Sequence, residues 1–281
     1  MLRTVSFSKK PIFTSLLLAS CTFSMGARGQ TGCNNPLYLT FDTGHMDVAI
    51  LIAEVLQRQQ VQVTFFAANE RTKQGDGSLG EYWAPWWRAR AREGHAFASH
   101  TWNHTYWRAD AGNSTAPTFQ VKPSAGPHAG EVSILNAAQY CDDITHAAHR
   151  LQILTGQATL PLFRTPGGKF SKNLLTVAQS CGYTHVGWSS AGFLGDELPS
   201  EQFSNHLLLQ RALKNIKSGD ILMAHLGIWS RKDEWAPTVL EPLIVELKKR
   251  GFCFKTLRDH PIYQKLHLSK LKIGSINGMV D

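Results

Sequence analysis

The chain has 281 residues, 43% of them hydrophobic, and a formal charge of +8. That is apolar material for one large α/β core or two small ones, and it excludes a disordered polymer. The basic surplus is too small and too scattered for a nucleic-acid binder, and would favour anionic surroundings.

At the N-terminus, Arg3, Lys9 and Lys10 precede a short apolar run, 12–19, which is too short to span a bilayer and reads as a signal peptide over residues 1–20. Leu18-Ala19-Ser20-Cys21 has the form of a lipobox, in which Cys21 is lipidated and anchors the chain to a membrane. Cleavage after Ala27-Arg28-Gly29 is the competing reading, and both imply export. Residues 21–36 then form a linker. Cys33, Cys141, Cys181 and Cys253 remain, an even number for an oxidising compartment, with three pairings open and free buried thiols as the alternative.

From residue 37 the pattern predicts a strand at 37–41, a helix at 46–59, a strand at 61–67, a helix at 83–93 and a strand at 95–98. Residues 105–131, rich in Gly, Pro, Ser and Asn, read as one long irregular loop. A helix at 137–155, closed by Gly156, precedes a strand at 160–163. A helix at 171–180, an extended run at 183–188, a helix at 205–217 and a strand at 221–224 follow. The last pair is a helix at 239–249 and a strand at 252–256, before a basic tail at 261–281. Such alternation predicts a mostly parallel sheet covered by helices. No Gly-rich phosphate loop follows the first strand, so the expected fold is α/β, a distorted (β/α) barrel in a single domain over 37–260.

Four short motifs sit where such a fold collects chemistry. Asp42, Arg164 and His225 each follow a strand-like segment. His100 and His104, four apart, are spaced to lie on one face of a helical turn and reach one metal ion. Each has an ordinary explanation as well. Asp42 could cap the helix at 46–59, Arg164 could be a surface charge, and an isolated His225 could be a satisfied histidine.

Together and in this order the motifs resemble the polysaccharide deacetylase family, carbohydrate esterase family four, over residues 37–257. Members carry Thr-Phe-Asp-Asp-Gly where this chain has Thr40-Phe41-Asp42-Thr43-Gly44. Their His-Ser/Thr-x-x-His is His100-Thr101-Trp102-Asn103-His104, and their Arg-x-Pro-x-Gly is Arg164-Thr165-Pro166-Gly167-Gly168. Their final Leu-x-His matches Met223-Ala224-His225 loosely. The resemblance implies a divalent metal, Zn²⁺ by preference, held by His100 and His104. It assigns Asp42 as base, Arg164 as its partner, His225 as acid and the Gly167 N–H as oxyanion donor.

Two departures stand out. The family's second Asp is Thr43, so water fills that position, or another acid such as Asp47 reaches in, or the metal is held weakly. The family's Asp-x-x-Asp-Trp segment is absent, and Asp196 or Glu197 is expected to take its place. Among the eight tryptophans, Trp83, Trp86 and Trp87 have core spacing, whereas Trp102, Trp107, Trp188 and Trp229 lie near motifs. Trp188 is expected to line the substrate pocket.

The implied function is an exported, metal-dependent hydrolase removing N-acetyl groups from N-acetylhexosamine units of a polysaccharide, peptidoglycan- or chitin-like, in the cell envelope. Two rivals stand beside it: a deacylase of a small or lipid-linked N-acylated sugar or other amide, and a degenerate member that binds glycan without cleaving it. Barrel closure would also bring Cys33, just before the first strand, to Cys253 in the last, predicting a disulfide between them.

Overall fold

Pro-Leu-Tyr-Leu-Thr-Phe-Asp forms β1 (Pro36–Asp42), the central strand, buried from its second residue onward. A run without polar alternation suits a parallel strand covered on both faces. Leu37, Leu39 and Phe41 join the core beneath the helices, while Tyr38 joins a second cluster with Phe66, Ala98 and Val186. The period of two therefore places Thr40 and Asp42 on the inner face with Tyr38.

The computed structural model describes Met1 and residues 32–265, Ser114 excepted. The signal-type segment 1–20, Cys21 and the tail beyond 265 lie outside the described residues. After β1 come α1 (Ala49–Arg58), β2 (Thr64–Ala67), α2 (Ala84–Arg92), β3 (Ala96–Ser99), β4 (Thr105–Asp110), β5 (Thr118–Pro123) and β6 (Ser133–Asn136). The second half is α3 (Ala137–Thr155), β7 (Leu162–Phe163), α4 (Lys172–Ser180), β8 (Thr184–His185), α5 (Asn205–Asn215), β9 (Ile221–His225), α6 (Glu241–Lys249) and β10 (Cys253–Phe254).

Parallel pairing runs β1–β2–β3–β7–β8, and β1 pairs β9 on its other flank. β10 pairs the first two residues of β1, through Pro36↔Cys253 and Leu37↔Phe254. No ladder joins β8 to β9. The gap is spanned by the segment after β8, where Ser189 N–H donates to Ile221 O (3.0 Å) and Phe193 bridges Met223. The result is a distorted (β/α) barrel in one domain, with Trp87, Phe65 and Phe97 packed outside the strands and the inner cluster within.

Three expectations are corrected. Residues 105–131 are not an irregular loop: β4, β5 and β6 form a separate antiparallel sheet. The His100–His104 segment is not helical; Thr101 (φ 62°) and His104 (φ 49°) are left-handed, and the segment is a tight loop between β3 and β4. The first helix also begins at Ala49, with no side-chain cap, so Asp42 is not a helix cap.

The disulfide Cys33–Cys253 ties the chain before β1 to β10 (Cα–Cα 5.9 Å), and Cys141–Cys181 ties α3 to the residue after α4 (6.0 Å).

Candidate active site

The register places the motif residues side by side at the carboxyl ends of the strands. Asp42 pairs directly with His225 across β1 and β9, and Ser99, just before His100, pairs with Phe163, just before Arg164. Gly44 follows because the chain must pass close to the β9 turn: a Cβ there would stand 1.9 Å from Gly227 O.

Arg164 is fully buried and spans the barrel interior. Its Nη1 donates to Asp42 Oδ1 (2.6 Å) and Thr40 Oγ1 (2.9 Å), its Nε to Val186 O and its Nη2 to Gly187 O. The guanidinium also lies 4.1 Å over the Phe66 ring. Burial alone would raise the Asp42 pKa, but the adjacent Arg164 guanidinium, with the His225 charge beyond it, outweighs it and holds the carboxylate below its usual range.

His100 Nδ1 donates to Arg164 O (3.0 Å), which leaves Nε2 bare, 3.6 Å from Asp42 Oδ2. Burial pushes the His100 pKa down to about 4, so the ring is neutral at pH 7. His104 Nδ1 meets Ser124 Oγ at 2.5 Å, and with Nδ1 as donor its Nε2 is bare as well. The two rings stand 4.8 Å apart. The loop owes its shape to α3: Asp143 Oδ1 accepts from the backbone N–H and side-chain amide of Asn103, and Asp143 O accepts from Trp102 N–H.

His225 Nδ1 lies 3.1 Å from both oxygens of Asp196, whose Oδ2 also accepts from the His225 N–H (2.6 Å). Burial would lower the His225 pKa, but the Asp196 carboxylate, assisted by Asp42 and Glu197, raises it to about 9. Asp196 thus occupies the supporting position expected of Asp196 or Glu197.

Asp42, His100, His104 and His225 line one cleft of about 310 Å³, with Arg164 and Asp196 behind them. Gly167, Trp188 and Glu197 lie on it, as do Tyr106, Ser124 and Trp229. Trp83 and Trp87 are core, and Trp102 stacks on His146 at 3.9 Å instead of facing the cleft. Asp47 does not reach in: it pairs with Lys73 and His45. Another acid, Glu70, lines the cleft; sequence reading missed it because it belongs to no motif.

As a metal site the donors fit in kind. Two imidazoles and two carboxylates line the cleft: His100 Nε2 lies 3.6 Å from Asp42 Oδ2, and Glu70 Oε1 lies 3.7 Å from His104 Nδ1, the nitrogen that also meets Ser124 Oγ. Ligand atoms on a tetrahedral Zn²⁺ stand about 3.3 Å apart. Among the described residues no group of three His, Cys, Asp or Glu side chains stands at metal-holding geometry.

A profile of the polysaccharide deacetylase family matches residues 29–186. The peptidoglycan-N-acetylmuramic acid deacetylase PdaA of Bacillus subtilis is 24% identical over 236 residues, 84% of this chain and 74% of its own length. A family 4 acetyl xylan esterase from Clostridium thermocellum, solved with a cobalt ion, superposes with a TM-score of 0.60 at 20% identity, covering 80% of this chain and 89% of that one. A pseudoenzyme of carbohydrate esterase family 4 from Bacillus anthracis superposes at 0.58 with 16% identity, covering 82% and 66%. An acetyl xylan esterase and a pseudoenzyme share this fold, so the fold does not choose the substrate. With more than half of its length matched by the family profile, the chain belongs to the polysaccharide deacetylase family.

Proposed function

We propose that the protein is an exported, metal-dependent deacetylase that hydrolyses the N-acetyl amide of N-acetylhexosamine units in a polysaccharide of the peptidoglycan or chitin kind. The observation that carries this reading is the pairing of opposite proton tasks across one cleft. Asp42 is held ionised by Arg164, and His225 is held protonated by Asp196. Such a split assigns base and acid by environment.

His100 and His104 would hold the cation, Zn²⁺ by preference for nitrogen and oxygen donors. A cation there would polarise the acetyl carbonyl and acidify water beside it. Asp42 takes the proton of the attacking water. As the C–N bond breaks, His225 delivers its proton to the leaving amine, and acetate and a free amino sugar result. Gly167, at the cleft wall with φ 66°, turns the backbone where the developing oxyanion would lie. Trp188 and the 61%-exposed Trp229 offer flat faces for sugar rings. Two disulfides suit an oxidising compartment, and no helix among the described residues is long and apolar enough to cross a membrane.

The test is acetate release from chitin oligomers and peptidoglycan, with metal content measured on the same samples. His100→Ala/His104→Ala should lose stoichiometric metal. Asp42→Asn should keep the fold and cost about 10²–10⁴-fold in rate. A second reading, a glycan binder without turnover, draws on Thr43 in place of an acid; retained glycan binding with no acetate from any acetylated glycan would select it.

A further inference from the structure

The geometry points to Glu70 as the anionic metal ligand of this site, delivered from the loop after β2 in place of an acid at position 43. The assignment rests on the reading of His100 and His104 as ligands and specifies what completes their shell.

Thr43 is buried and its hydroxyl is committed. Oγ1 accepts from Ala68 N–H (3.0 Å) and donates to Glu70 Oε2 (2.6 Å). A carboxylate is thereby held directly against the hydroxyl at position 43, where the family carries an acid. The other oxygen, Oε1, is 3.7 Å from His104 Nδ1, the ring nitrogen that also meets Ser124 Oγ, so the carboxylate lies against the His104 ring on that side. Thr43 cannot itself replace a carboxylate on a cation, but it can orient one, as hydrogen-bonded partners of ligating carboxylates do.

The backbone of Glu70 is also fixed. Its N–H donates to Ser78 Oγ (2.9 Å) and its carbonyl accepts from Ser78 N–H (2.8 Å). Ser78 Oγ in turn donates to Ala68 O (2.6 Å), and Ser78 is fully buried. The neighbouring Asn69 N–H donates to Trp102 O (2.8 Å), which pins this loop to the one carrying the two histidines. Glu70 is therefore set against His104 from both ends of its side chain. Its carboxylate has no arginine or lysine partner among the described residues, unlike Asp42 and Asp47. A half-buried carboxylate on the same cleft as the two imidazoles, and touching one of them, supplies the charge that neutral Thr43 withholds.

Calorimetric titration with Co²⁺, read in parallel by the visible absorption of the bound ion, tests this without relying on activity. Glu70→Gln, which keeps shape and removes charge, should lower affinity by about 100-fold or more and alter the Co²⁺ spectrum. Thr43→Val, which leaves Glu70 in place but unoriented, should cost about 10–100-fold. Thr43→Asp/Glu70→Gln should recover much of the affinity lost by Glu70→Gln. Unchanged affinity and spectrum in folded Glu70→Gln, while His100→Ala/His104→Ala loses the ion, would overturn the Glu70 assignment and leave the histidine reading standing. Wild-type protein that binds no Co²⁺, or binds it independently of the histidines, overturns both.

Discussion

His225 and Asp196 form the acid side of the site, and their coupling is measurable. The Asp196 carboxylate raises the His225 pKa to about 9 from an ordinary 6.5. Activity should therefore fall along an alkaline limb near pH 9, and Asp196→Asn should move that limb down, which a pH–rate profile reads directly. The same shift has a stability consequence. A group whose pKa is raised on folding stabilises the fold fully below its unfolded pKa and loses that contribution as pH rises through the folded one. Chemical denaturation between pH 6.5 and 9 should show this loss in wild type and a flatter profile in Asp196→Asn. Arg164 makes a different case. Arg164→Met strands a buried Asp42 charge and should destabilise by about 3–5 kcal/mol, seen in urea unfolding. Asp42, Arg164 and His225 were legible from their motifs. Glu70 was not, because its role depends on a hydrogen bond to Thr43, 27 positions away, that no spacing rule encodes.

At the scale of elements, the antiparallel β4–β5–β6 sheet and the turn after β7 shape the cleft from one side. Tyr106 on β4 abuts Gly167 so closely that a Cβ would stand 2.8 Å from its ring, and Gly167 has φ 66°. Gly167→Ala should thus cost about 1–3 kcal/mol of strain or displace Tyr106. The expected signature is a loss of kcat/KM larger than the change in Tm implies. The sheet escaped sequence reading because two six-residue strands lie in a window dominated by turn-forming residues, which hide their alternation. The histidine loop misled for another reason. A four-residue spacing is what a helix uses, but two left-handed residues, Thr101 and His104, bring the rings together without one. Longer helices were read well: α3 matches its predicted span, with the Asn136/Gln139 capping box at its start and left-handed Gly156 at its end.

Over the whole molecule, the two disulfides differ in the length of chain they close. Cys33–Cys253 spans 220 positions and Cys141–Cys181 spans 40. Loop-entropy arithmetic makes the first worth about 5 kcal/mol and the second about 4. Cys33→Ser/Cys253→Ser should therefore lower the denaturation midpoint more than Cys141→Ser/Cys181→Ser, and non-reducing peptide mass spectrometry should find both bridges in wild type. The long bridge also secures the start of β1 against β10, at the end of the barrel opposite Asp42. The sequence alone determined the strand–helix alternation, the family and the five motif positions, because hydrophobic period and motif order are properties of neighbouring residues. Only the tertiary structure decided that Asp196 serves His225, that Asp47 turns away to Lys73, and that Glu70 stands behind Thr43. Those contacts join loops from different strands, and strand order and register, not distance along the chain, bring such loops together.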